Sequence, residues 1–134
     1  MLNSARFLKA HKMSTGKLGV TGFCWGGGTT NWLATTLGAD LHAGAPFYGA
    51  AAETAGVPRI KAPLLIHYAE TDPRINEMWP AFEAALKAAG LPYQAYTYAG
   101  TQHGFHNNST PRYHEASAKL AWDRTVAFFR TNLA

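Results

Sequence analysis

The chain has 134 residues, 47% of them hydrophobic and 15% charged, with a formal net charge of +4. That length holds one compact domain, no apolar run reaches the roughly 18 residues that cross a bilayer, and the basic excess is scattered, without the Lys/Arg block of a nucleic-acid-binding surface. The first residues, Met1–Lys12, lack the uninterrupted apolar stretch of a secretory signal. One cysteine excludes an intrachain disulfide and suits a reducing, cytoplasmic compartment.

In chain order, Phe7–Lys12 reads as the end of a helix. A short apolar strand is expected over 17–23, followed by a helix from Trp25 to Leu37 that Gly38 closes. The next strand candidate is Ala43–Tyr48. Pro63–Ala69 follows, where Leu64-Leu65-Ile66-His67-Tyr68 is continuously apolar, as a strand covered on both faces requires. A helix is predicted over Glu77–Ala89, with Phe82, Ala85, Leu86 and Ala89 at helical spacing and Gly90 at its end. A fourth strand is expected at Tyr93–Tyr98. The last helix is expected at Arg112–Asn132, packing Leu120, Val126, Ala127 and Phe128 on the sheet, with Trp122 and Phe129 able to widen that face. Strands alternating with helices predict an α/β fold with a parallel, helix-covered sheet.

The segment Gly22-Phe23-Cys24-Trp25-Gly26 lies between the first strand and its helix. Glycines two places either side of a nucleophile mark a strand-to-helix elbow, where the chain turns so sharply that flanking side chains would collide. Such a turn leaves Cys24 exposed at a helix N-terminus, where the helix dipole favours the reactive thiolate. The amide of Trp25 is placed to donate into an oxyanion hole. Gly26–Gly28 would let the helix lie close to the sheet. The competing reading is an inert buried thiol in a glycine-rich turn.

An elbow nucleophile needs a base, and the base an orienting acid, in the chain order nucleophile, acid, histidine. Asp72 follows the apolar strand in Glu70-Thr71-Asp72-Pro73, and His103 follows the next strand in Ala99-Gly100-Thr101-Gln102-His103-Gly104-Phe105. Together with Cys24 they form the candidate triad. Glu70 competes with Asp72 and His106 with His103, whereas His67 sits within a strand and reads as a core residue. Tyr48, Trp79 and Phe105 are candidates for an apolar substrate pocket, although aromatics at such positions are more often core. His103, His106 and His114 lack the spacing and companions of a metal site, and no phosphate-binding glycine motif occurs. No metal or cofactor is therefore expected.

These segments resemble the dienelactone hydrolase family, a branch of the α/β-hydrolases. The resemblance is carried by Gly19–Gly27 around the elbow, by Tyr48-Gly49, by the Asp72 loop, by Tyr98–Phe105, and by Ala121–Phe129 in the closing helix. It covers nearly the whole chain and implies a Cys24–His103–Asp72 triad that opens a lactone or other activated ester through an acyl-enzyme. Two departures accompany it. Type members carry an arginine four residues after the catalytic histidine to hold a substrate carboxylate, where this chain has Asn107. Family domains are also about twice as long, so the chain resembles their C-terminal half. The other half would supply early strands, a second oxyanion donor and further substrate contacts. On that reading the 17–23 strand becomes an apolar sheet edge open to self-association, and an association module or a redox-sensitive thiol protein are the alternatives to a hydrolase.

Overall fold

A computed structural model describes all 134 residues. Four strands, β1 (Gly19–Phe23), β2 (Ala43–Phe47), β3 (Leu64–Thr71) and β4 (Tyr93–Gln102), form one parallel sheet in that order. β1 is an edge strand: it pairs with β2, Gly19 beside Ala43 through Phe23 beside Phe47, and has no strand on its other side. Helices α1 (Leu2–Ala10), α2 (Trp25–Leu37), α3 (Pro73–Asn76), α4 (Trp79–Ala88) and α5 (Glu115–Leu133) complete the fold, with 3-10 turns at Gly38–Asp40 and Thr54–Arg59.

Two cores form because β3 is apolar on both faces. Leu64, Ile66 and Tyr68 pack with Ala5 of α1, Leu33 and Leu37 of α2, and Phe82 and Leu86 of α4. Ala69 points to the other face, where Phe47, Tyr98, Phe105 and the α5 residues Ala118 and Ala121 gather. Parallel strands linked by helices leave all four C-terminal strand ends on one rim, and loops from that rim can converge.

The expected elements are present, with shifted bounds. α1 is a helix of nine residues ending at Ala10 rather than Lys12. The helix expected at 77–89 begins at Trp79, with Pro80 in its first turn, where a missing N–H costs nothing; the separate turn α3 precedes it, with Asp72 at its N-cap. β4 runs on to Gln102, four residues past the expected end. α5 starts at Glu115 because the His114 side chain caps it, accepting the Ser117 N–H at 3.3 Å.

The packed face of α5 differs from expectation. Ser117, Ala118, Ala121 and Thr125 are the buried residues, while Leu120 and Trp122 are exposed. Small side chains let the middle of the helix approach the sheet closely, while Phe129, as expected, widens the packed face and lies with Leu133 over Gly19 of β1.

Candidate active site

The elbow is built by steric exclusion. Cys24 adopts φ 54°, ψ −117°, a conformation that costs an L-residue about 1–3 kcal/mol and recurs at functional sites. A Cβ on Gly22 would lie 2.3 Å from the Gly26 carbonyl oxygen, so a side chain there cannot coexist with the turn. A Cβ on Gly26 would meet nothing within 4 Å, contrary to the expectation that both flanking glycines prevent a clash. The close helix–sheet approach expected of Gly26–Gly28 is made at Gly27: its added Cβ would lie 2.5 Å from the Phe47 oxygen, and one on Gly49 would clash with the Gly27 backbone. The Cys24 N–H donates to the Phe47 oxygen at 3.1 Å and ties the turn to β2.

The rim brings three predicted residues into one line. His103 Nδ1 lies 2.5 Å from Asp72 Oδ2, and His103 Nε2 lies 3.1 Å from Cys24 Sγ. A carboxylate can only accept, so Nδ1 carries the proton and Nε2 is left to accept from the thiol. Asp72 is 5% exposed, whereas the His103 side chain is 25% exposed and Cys24 is open to solvent. The Asp72 carboxyl is thus screened from water while Cys24 lies at the surface.

The thiol departs from expectation in its acidity. Although Cys24 is exposed, protein packed behind the elbow strips water from the sulfur and pushes its pKa above the ordinary value. Arg112 and Arg74 pull it down and Asp72 adds to the rise, but desolvation is the largest effect.

The competitors have other duties. Glu70 accepts the Gly100 N–H at 2.9 Å. The His106 ring lies among Phe23, Phe47 and Trp122, and burial lowers its pKa. With His114 capping α5, no three His, Cys, Asp or Glu side chains converge as a metal cluster.

A cleft of about 670 Å³ opens beside Cys24, walled by Met1, Leu2, Trp25, Trp32, Arg74 and Ile75 among others. The three residues expected to shape a pocket lie elsewhere. Trp79 packs against Tyr68, Phe82 and Tyr93, and Phe105 is fully buried in the α5-side core. Tyr48 is buried beneath His103, its ring centroid 5.1 Å from the imidazole, and has the second positive φ among non-glycine residues, 35°. Aromatic residues near the motif are drawn into the core, so the cleft is left to residues that sequence reasoning passed over. Trp32 follows Trp25 by two helical turns, and Arg74 follows Asp72 by two residues; these spacings were the available signals. Trp25, 74% exposed, opens α2 as its first residue, where a backbone N–H has no acceptor within the helix.

A parallel sheet with a strained turn at Cys24 after its first strand and an Asp72–His103 pair on later loops defines an α/β-hydrolase fold. The sequence profile of the dienelactone hydrolase family matches residues 2–133. The chain belongs to the dienelactone hydrolase family. A protein of Escherichia coli (strain K12) named "Putative carboxymethylenebutenolidase" is 31% identical over 125 residues, covering 85% of this chain and 46% of that protein. Protein usf of Aquifex pyrophilus is 34% identical, covering 97% of this chain and 58% of that one. The crystal structure of a Klebsiella pneumoniae protein named "Putative Dienelactone Hydrolase" superposes with a TM-score of 0.85 at 28% identity, over 95% of this chain and 57% of that one. The chain thus spans about half the length of the curated relatives it matches. No helix is long and apolar enough to cross a membrane.

Proposed function

We propose that the chain carries the nucleophile, base and orienting acid of a hydrolase that cleaves a lactone or other activated carboxylic ester through an acyl-thioester on Cys24. The observation that carries this reading is the continuous hydrogen-bonded line Cys24–His103–Asp72 at the rim of the sheet. In the first step Cys24 Sγ attacks the acyl carbon while His103 Nε2 takes the thiol proton. Asp72 holds the imidazole in the correct tautomer and stabilises the imidazolium. The tetrahedral oxyanion is met by the Trp25 N–H, and one such donor contributes about 3–4 kcal/mol in a complete site. Collapse expels the alcohol or enol oxygen, which takes the proton from His103. A water activated by the same imidazole then attacks the thioester and returns the thiol.

The raised thiol pKa fits this scheme, because proton removal is coupled to attack and no standing thiolate is required. The relatives' carboxymethylenebutenolidase name points to a lactone, and Asn107, at the fourth position after His103, argues for a substrate held differently from dienelactone. The sole thiol at the reacting position suits the reducing conditions of the cytoplasm.

Hydrolysis of p-nitrophenyl acetate by the purified chain tests the reading. Turnover with an initial burst is expected, and its abolition in Cys24→Ala. Turnover by the Cys24→Ala protein equal to that of the parent would overturn it.

A further inference from the structure

β3 and β4 pair in regular register from Leu64 beside Tyr93 to Ala69 beside Tyr98, and the next pair is Thr71 beside Gln102. Between those pairs β3 supplies one residue, Glu70, and β4 supplies three, Ala99, Gly100 and Thr101. The ladder is broken at this bulge, and it breaks two residues before both Asp72 and His103. Such a break leaves backbone groups without ladder partners and lets the strand end bend.

Two side chains close the break. The Glu70 N–H donates to Thr101 Oγ1 at 3.3 Å, and the Thr101 hydroxyl donates to the Tyr98 oxygen at 2.6 Å. The Gly100 N–H donates to Glu70 Oε2 at 2.9 Å, with Gly100 at φ +72° to present it. Thr101 is buried, and neither Glu70 nor Thr101 lines the cleft or hydrogen-bonds to the thiol or imidazole. From below, Asn76 Nδ2 donates to the Ala69 and Glu70 oxygens at 2.9 and 3.2 Å, fastening the same strand end to α3.

We infer that Glu70 and Thr101 are positioning residues: their side chains clasp the frayed ends of β3 and β4 and so set the separation of Asp72 from His103. The inference rests on the hydrolase reading of Cys24 and His103. Displacements near 1 Å at a reacting group can cost about 100-fold in rate, and Glu70 and Thr101 are each only two residues along the chain from Asp72 and His103. Glu70 thereby acts on the chemistry without touching it.

The full chain is compared with Glu70→Ala, Thr101→Val and Glu70→Gln. Three quantities are read: the far-downfield proton resonance of His103 Nδ1–H on Asp72, the rate of Cys24 alkylation by iodoacetamide, and kcat and KM for p-nitrophenyl acetate. Glu70→Ala and Thr101→Val are expected to broaden or lose the downfield proton, to slow alkylation, and to lower kcat by about 10–100-fold with KM within twofold. Glu70→Gln keeps an acceptor for the Gly100 N–H and is expected to restore all three. Folded Glu70→Ala and Thr101→Val proteins with the parent's downfield proton and alkylation rate would overturn the inference, as would a Glu70→Gln protein no better than Glu70→Ala. If Glu70→Ala fails to fold, Thr101→Val decides, since it exchanges one hydroxyl for a methyl of similar size. A parent chain that shows the downfield proton but no ester turnover would sink the hydrolase reading alone, because the proton and alkylation still report on the clasp.

Discussion

Two histidines of this sheet are held between two hydrogen-bonding partners each, and they are built for opposite ends. His103 lies at the rim, between the Asp72 carboxylate and the Cys24 thiol, partly open to water. His67 lies in the middle of β3, fully buried against the Phe47 ring at 4.2 Å. Its partners are two hydroxyls, Tyr98 Oη on Nδ1 and Thr125 Oγ1 on Nε2, both at 2.9 Å. The Thr125 hydroxyl donates to the Ala121 oxygen, so it accepts from His67 Nε2–H. Tyr98 then donates to Nδ1 and accepts from Arg124 Nη1 at 3.2 Å. Every position in that chain is filled by a neutral imidazole, and desolvation, with Arg124 and His106 adding to it, pulls the His67 pKa down to about 3. A carboxylate partner equips an imidazole to gain a proton; hydroxyl partners beside a guanidinium equip one to refuse it. Burial alone does not make a histidine catalytic.

The largest expected effect separates the two by activity. His103→Ala should lower ester turnover by on the order of 10²–10⁴, whereas folded His67→Ala should stay within a few-fold of the parent. An equal loss in both would break the comparison. Stability should reverse the order: His67→Ala leaves a cavity and a Tyr98 O–H with no acceptor, for a loss of about 3 kcal/mol in denaturant unfolding. His103→Ala, at the rim, should cost well under half of that.

The next effect is in pH. Between pH 6.5 and 3 the unfolded chain binds a proton at His67 that the folded chain refuses. Its contribution to stability is therefore complete above pH 6.5 and falls by about 1.4 kcal/mol for each unit below it. Burial lowers the pKa of His42 and His106 as well, so they add slope of the same sign. Unfolding midpoints measured from pH 7 to pH 5 should fall in the parent and flatten in His67→Ala; an unchanged slope would remove His67 as the cause. Tyr98→Phe, which deletes only the hydroxyl linking Arg124 to His67, should give the smallest change, about 1–2 kcal/mol of stability.

Much of this was legible in the chain because it is local. The α2 bounds Trp25–Leu37 followed from the elbow and Gly38, and β3 from its unbroken apolar run. Asp72 and His103 were singled out because both follow successive strands, which a parallel sheet must deliver to one rim. Contacts made in space decided the rest. The two elbow glycines look equivalent in sequence, yet only Gly22 is pressed by backbone, because the helix folds back over it and not over Gly26. The aromatic residues near the motif look like a pocket, yet Phe105 and Tyr48 are consumed by the core.

The alternation of elements, the sharp turn at Cys24 and the placing of Asp72 and His103 just after successive strands were thus readable in the chain, since each depends on residues near one another along it. The tertiary structure alone decided that Asp72 rather than Glu70 meets His103, that His67 stays neutral, that small residues of α5 face the sheet, and that the thiol is held above its ordinary pKa. Each of those outcomes turns on how much water and which distant groups surround a side chain, and only packing sets that.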